Sequence, residues 1–570
     1  MPAVSSRSHR ALVLPWLALG GVETYFTHRS LVPHSTLELV LEWAALLLLG
    51  TCQIVLGRGV WRSPLLPAAA GLLMALMTLK PAGSLAVAVY AVGSIGVLAW
   101  LVRVLDRMFG PGVLVGCALA LVAGVGMRYA VLFELTGYQI EALRGQAHAA
   151  TRERLLVELK QPGHRSLPAS SSSGPPLVLI SIDTLRQDVG QEMTTYRRLA
   201  ARGAAWPAAM STSSWTLPAT ASLATGALPG THGAGYHPSG HYQGIDPEIP
   251  TLAEELKAAG YATAAIAANP WVSRQMGFDR GFDRFVHSLD NFSHKLLVMG
   301  VPRRPTLPTY SDALVERAVS WVESAPATGW YLWIHVIDPH MPYDRSSDPR
   351  FQSVTTGDLK TGAFVDAERR AATMTAYREM TALTDANLAP LLDALEAKGV
   401  LDEGLVALTS DHGEELWEHD HIGHAHSHHG VVTDVPLVLV APGLQPGVRD
   451  EAASIADIPS TFRAAAGLDA RGVDLRQPQP PDRVVTAWGN LHDHLERSAR
   501  TSDARLIVTE ATGDARYFHL DHDPDEHRPG SAPIGDPLIE AVEAIEAPAA
   551  SDAVQMDDLS ALEALGYVGQ

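Results

Sequence analysis

Three short stretches of this sequence end an apolar run with groups that do chemistry. Asp411 and His412 follow the run 404–409, Asp183 follows Leu177–Ile182, and Asp338 and His340 follow the run 330–337. Each run has the length and the Val, Ile, Leu and Trp content of a buried strand. Ligands of open α/β sheets bind beyond the carboxyl ends of the strands, so three such tips can converge on one cleft. Carboxylates and imidazoles gathered there are donors for a divalent cation. The chain therefore reads as a metal-dependent enzyme.

A fourth stretch, Thr212–Gly226, carries a loop-to-helix signature. Thr216 is placed as the N-cap, Pro218 sits in the first turn and Gly226 closes the helix. A hydroxyl there lies in the positive field of the helix among free backbone N–H groups, which suits attack on an anionic ester. By itself the signature also fits a threonine that only caps a helix.

These groups belong to the second part of the chain. Of 570 residues, those before about residue 160 are mostly apolar, and the remainder holds nearly all the Asp, Glu and His. The net charge of -19 argues against nucleic acid as a partner, since phosphate backbones demand a basic face. An acidic protein acting on anionic esters needs a cation or local histidines to offset repulsion. Both cysteines, Cys52 and Cys117, lie in the apolar part. Disulfides, zinc–thiolate sites and cysteine nucleophiles are thereby excluded from the rest.

The apolar part, residues 1–137, is expected to form an α-helical bundle of five transmembrane spans, at 11–27, 39–57, 64–79, 83–102 and 111–133. Arg7, Arg10, Arg58, Arg62, Arg103 and Arg107 flank alternate connections. The positive-inside rule then puts the N-terminus in the cytoplasm and the large domain outside the inner (cell) membrane. Glu23 and Arg128 lie near span ends, within reach of the interface. Residues 138–176 read as a juxtamembrane helix, its leucines and arginines at helical spacing, followed by a Ser/Pro/Gly linker.

Beyond the linker, strand-like and helix-like runs alternate. Helical patterns at 251–259, 311–323 and 367–398 separate strand-like runs at 262–267, 330–337, 404–409 and 435–440. This predicts an α/β domain over 177–450, with a mostly parallel sheet flanked by helices. The stretches 505–510 and 515–520 around Thr512-Gly513-Asp514 predict a hairpin in a smaller C-terminal subdomain, 451–570.

The run Ser181–Asp188 resembles the first metal-binding motif of the sulfatases, within the alkaline phosphatase superfamily, and Thr216–Gly226 resembles their nucleophile motif. Pro250–Tyr261, Gly277–Phe285, Asp338–Tyr343, Thr409–Glu414, Asp521–Glu526 and Leu565–Gly569 follow in the family's order. The resemblance covers about residues 176–570 and implies an alkaline-phosphatase-like fold. It assigns Asp183, Asp411 and His412 to the metal, with Thr216 as nucleophile and fourth contact. His340 would contact the transferred group, and His424 would be another substrate or metal contact. The cofactor implied is a divalent ion (Ca, Mn, Mg or Zn), and His419, His421, His424, His426, His428 and His429 could complete a second site. Asn269 and Trp271 stand where the family carries a pocket lysine, whereas His232 and Asp457 resemble structural positions.

Two departures shape the functional reading. Sulfatases use a Cys or Ser oxidised to formylglycine in a motif ending in arginine, whereas this chain has Thr216 and Thr220 in those places. Threonine cannot become that aldehyde. Thr184 also follows Asp183 where a second acidic ligand would stand. Direct attack by a threonine oxygen resembles the phosphoryl-transfer branches, which also share five spans and an external domain. The expectation is a membrane-anchored enzyme that cleaves or transfers a phosphoester group, lipid- or glycan-linked, through a covalent Thr216 ester. The alternatives are a sulfate-ester hydrolase and an inactive binding or assembly protein with the same fold.

Overall fold

Runs that are apolar on both faces build the centre of the structure, a computed structural model. It describes residues 170–237, 241–287, 297–298, 301–302, 311–343, 345–348, 367–492 and 494–547. The expected spans, the juxtamembrane helix and the motif Leu565–Gly569 lie outside these residues. Among the described residues no helix is long and apolar enough to cross a membrane. The chain divides into two compact units, and the fold below is that of the unit holding 164–291, 307–556 and 561–570.

Strands β1 (Leu177–Ile182), β2 (Ala204–Ala205), β3 (Ala262–Ala267), β4 (Arg284–His287), β5 (Trp330–Val336), β6 (Leu405–Ser410), β7 (Leu437–Val440) and β8 (Gly447–Val448) form one sheet. Its order is β8-β2-β7-β6-β1-β5-β3-β4. From β6 to β4 all neighbours run parallel. β1, β3, β5 and β6 are buried at every residue, as parallel strands covered on both faces must be.

The sheet is mostly parallel, as expected, and the strand expected at 435–440 is the departure from that direction. β7 pairs antiparallel with both β6 and β2, so the sheet is mixed. A parallel return requires a long crossover, usually a helix. Between β6 and β7, residues 411–436 form loops and short elements, and the chain turns straight back.

Helices α1 (Thr194–Ala200), α2 (Thr216–Thr225), α3 (Leu252–Ala258), α4 (Ser311–Ser324), α5 (Ala367–Ala397) and α6 (Asp457–Ala465) pack around this sheet and on one another. α3 starts at a capping box, in which the Thr251 hydroxyl accepts from Glu254 N and the Glu254 carboxylate accepts from Thr251 N. α4 lies on β5 and against α5.

A second sheet joins β9 (Val485–Trp488), β10 (Glu496–Arg500), β11 (Ala504–Thr509) and β12 (Asp514–His519), antiparallel throughout. Helix α7 (Pro537–Glu543) packs on it through Leu538 and Val542, against Leu506 and Tyr517.

Register positions the chemistry. Ile182 stands opposite both Val336 and Ser410, so the tips of β1, β5 and β6 are level. Asp183 and Asp411 leave the sheet side by side.

Candidate functional site

The turn after β1 is held in an unfavourable conformation. Thr184 has φ 56, a left-handed value that β-branched residues rarely adopt. The Tyr377 hydroxyl on α5 donates to Thr184 O at 2.9 Å and accepts from Arg186 N at 2.8 Å, clamping the turn. Thr184 N then donates to Asp411 Oδ1 at 3.3 Å. The strain is spent on placing the two carboxylates together.

Asp183 and Asp411 are fully buried, and His335 of β5 joins them. Asp183, His335 and Asp411 each offer a donor atom within 4.8 Å of the others. Asp183 Oδ1, Asp411 Oδ2 and His335 Nε2 are buried with no hydrogen-bond partner. Three orphaned donors facing one point are costly in a dry interior, and a cation satisfies them all at once. The residues therefore fit the metal that the family resemblance implies. Burial drives both carboxyls up. For Asp183 the imidazoles of His335, His340 and His412 outweigh that, and it ends below its ordinary value. Asp411 is driven well up by burial and by the Asp183 charge.

Sequence reading missed His335. Its signal was an imidazole inside an otherwise apolar strand, which also fits a satisfied core histidine; only the unpartnered Nε2 distinguishes the two.

His412 Nε2 lies 3.7 Å from Asp183 Oδ1 and 3.5 Å from Asp411 Oδ2. Its Nδ1 is 2.9 Å from Gly413 O, and a carbonyl only accepts, so Nδ1 carries the hydrogen and Nε2 the lone pair. Burial lowers the His412 pKa, partly offset by the Asp183 charge.

Thr216 Oγ1 is 3.1 Å from that same Nε2. The residue is the first of α2 and not its cap, as expected from the sequence; Trp215 holds the N-cap position in extended conformation. The hydroxyl is directed to His412 and is lost to the helix end. Gly226 does end α2, at φ 73. The Asn269 amide donates to Asp183 Oδ2 at 2.5 Å and lies 3.5 Å from Thr216 Oγ1, while the Trp271 ring packs edge-on against Trp215. Thr220 turns its hydroxyl back onto Thr216 O at 2.6 Å, inside the helix.

His424 packs against His412 with ring centroids 4.4 Å apart and the planes tilted by 38°, and His340 stands edge-on to His424 at 5.1 Å. The buried Glu414 accepts from His424 Nδ1 at 2.8 Å. Asp338 does not join the cluster. It accepts from Ser311 N at 2.9 Å and from the Ser311 hydroxyl, anchoring the start of α4. Burial, partly offset by Ser311, raises it to about 6.

The histidines that could have completed a second site disperse. His426 pairs with Glu415 at 2.9 Å, His428 with Ser498 at 2.9 Å and His429 with Glu526 at 2.9 Å. His419 stacks on His429, and His421 stacks on His426. Among the described residues the one cluster with metal-ligand geometry is Asp183, His335 and Asp411. His232 bonds Ser222 and accepts from Ala234 N, fixing the loop after α2. Asp457 accepts from Ser454 N and Arg483, a structural pairing.

The Sulfatase family model matches residues 175–468. Arylsulfatase K of Bos taurus is 36% identical over 93 residues, 16% of this chain and 17% of that protein. Arylsulfatase K of Homo sapiens is 28% identical over 136 residues, 24% of this chain and 23% of that protein. The chain thus spans less than a quarter of these curated relatives' own length. A solved structure in complex with its substrate, D-glucosamine-2-N,6-O-disulfate, aligns at TM-score 0.50 and 16% identity, over 65% of this chain and 97% of that one. That likeness is one of fold.

Proposed function

This chain belongs to the sulfatase family, and on that premise we propose that it hydrolyses an anionic ester by direct attack of the Thr216 oxygen, with phosphoesters preferred. The observation that carries the reading is the Thr216 hydroxyl, 3.1 Å from His412 Nε2 and beside the paired carboxylates. Threonine cannot be oxidised to an aldehyde, so the oxygen itself must be the nucleophile.

Asp183, His335, Asp411 and His412 would hold a divalent cation. When bound, that cation lowers the pKa of the alcohol and neutralises the ester oxygens. Asn269 orients both Asp183 and Thr216. The Thr216 oxygen, its proton lost to solvent, bonds to phosphorus as the bond to the leaving oxygen breaks. His424, with Nδ1 held by Glu414, or His340 beside it, gives that oxygen a proton. Water then cleaves the Thr216 ester and restores the hydroxyl. Burial of these groups excludes bulk water and strengthens each electrostatic contact.

Sulfate-ester hydrolysis by unmodified Thr216 is the second reading, supported by the arylsulfatase K relatives. Turnover of nitrophenyl phosphate, bis-nitrophenyl phosphate and nitrophenyl sulfate by full-length protein separates the two. Faster turnover of the sulfate rejects the phosphoester preference, and full activity in Thr216→Ala rejects the nucleophile. We place the catalytic part on the outer side of a cell membrane, beneath five spans and within reach of lipid- or glycan-linked esters. The arginine distribution supports that placement, and protease accessibility in intact cells tests it.

A further inference from the structure

We propose that His335 supplies the coordination that Thr184 does not, and that the resulting carboxylate–imidazole set selects zinc over calcium and magnesium. The inference rests on the reading above only for the presence of a divalent cation.

His335 is held as a ligand is held. It stands directly opposite Ser181 in the parallel β1–β5 ladder, and its Nδ1 lies 2.9 Å from Ser181 Oγ. Trp333, two residues back on the same face of β5, donates its Nε1–H to that oxygen at 2.9 Å. The ring can take two tautomers. With the hydrogen on Nε2, a buried N–H faces Asp183 Oδ2 at 3.7 Å, beyond hydrogen-bond range. With the hydrogen on Nδ1, Ser181 Oγ accepts from both rings and turns its own hydrogen toward Ile334 O at 3.5 Å. Nε2 then presents a lone pair to two carboxylates. Neither state is satisfied by protein alone, and a cation at Nε2 resolves the second.

Donor type fixes which cation. Calcium takes six to eight oxygens in a loose shell, and magnesium holds to octahedral oxygen and water. Here the buried orphaned donors are two carboxylate oxygens and one imidazole nitrogen, with a second imidazole, His412, at 3.5 and 3.7 Å from those oxygens. Mixed nitrogen and carboxylate donors in small number are a zinc set, and two aspartates balance its charge. A carboxylate at position 184 would have supplied another hard oxygen. Thr184 instead spends its hydroxyl on its neighbour's carbonyl, Asp183 O, at 2.7 Å. Ser181 and Trp333 act as positioning residues, since groups bonded to the far side of a ligating imidazole tune metal affinity.

The test is calorimetric titration of metal-stripped full-length protein with zinc, manganese, calcium and magnesium chlorides. Zinc is expected to bind at least about 100-fold tighter than calcium. Ser181→Ala is expected to weaken zinc by about 10- to 100-fold and to leave calcium unchanged. His335→Ala should weaken zinc further, and His335→Asp should reverse the preference toward calcium. Thermal unfolding of each variant checks that it folds; Ser181→Ala, a small change, keeps the test decisive if His335→Ala does not. Unchanged zinc affinity in folded His335→Ala overturns the inference. Calcium bound more tightly than zinc by an active parent overturns it while leaving the reading above intact. No binding of any ion overturns both.

Discussion

Arg505 and Asp411 are both ionisable and fully buried, yet their surroundings differ in kind. Arg505 lies 2.7 Å from Glu526, bonds Asp434, and donates to His428 O at 3.0 Å and Thr433 Oγ1 at 2.5 Å. Glu526 in turn accepts from His429 Nδ1 and Gly430 N, each at 2.9 Å. Opposite charges close there, and the cluster staples the second sheet and the 521–526 turn to the loop before β7. Asp411 faces another carboxylate and the rings of His335 and His412, with Oδ2 unpartnered. Burying charge costs several kcal/mol per ion unless it is matched. Charge matched within the protein is architecture; charge left unmatched beside a nucleophile is a site awaiting its ligand.

Four measurements sharpen or break this contrast, taken from the largest expected effect down. Thr216→Ala should lower kcat/KM by at least about a thousandfold, the scale of losing a nucleophile, while the unfolding transition stays in place. Steady-state kinetics beside thermal melts decide it, and a large stability loss would break the contrast. Arg505→Met should do the reverse, since it removes the guanidinium that faces the buried Glu526 and leaves Asp434 with Arg500 alone. Denaturant unfolding should give a loss of about 3–5 kcal/mol, and the remaining folded protein should keep its turnover.

Acid provides the third measurement. Burial pushes Glu526 up, but the Arg505 charge and then His429 outweigh it and hold the carboxyl at about 2, against 4.5 ordinarily. A carboxyl lowered in the fold stabilises above its ordinary pKa and loses that contribution as pH falls. Stability measured from pH 5 downward should therefore drop by about 3 kcal/mol through this group, and Glu526→Gln should flatten that limb. Asp411→Asn should have the smallest effect on folding. It replaces a carboxyl that has an unpartnered oxygen beside Asp183, so metal-stripped protein should gain about 1–2 kcal/mol in stability and lose cation binding. Destabilisation of the stripped form would mean that Asp411 is matched after all.

Legibility followed the range of the interactions. β1 and β3 begin and end where their apolar runs do, and the capping box at Thr251 and the left-handed Gly226 mark helix ends from local residues alone. Asp183, Asp411 and His412 were readable because each directly follows a strand. Asp338 had the same signature and was diverted by Ser311, 27 residues earlier, which no local pattern reveals. The antiparallel β7 escaped because an apolar run carries no direction. The role of His335 escaped because a single histidine in a buried strand is ambiguous until its neighbours across the ladder are known. Thr216 looked like a cap because caps and helix-start nucleophiles draw on the same residue types; the choice was made by His412, 196 residues away.

The level tips of β1, β5 and β6 tie assembly to activity. A slip of one residue between two of these strands would exchange the side chains on two faces that are both buried. It would also turn Ser181 or His335 to the opposite face of the sheet. Such a molecule would have its strands paired and its site undone. Specific activity per folded molecule, more than yield or melting point, is therefore the honest gauge of whether a preparation of this protein has reached its native alignment.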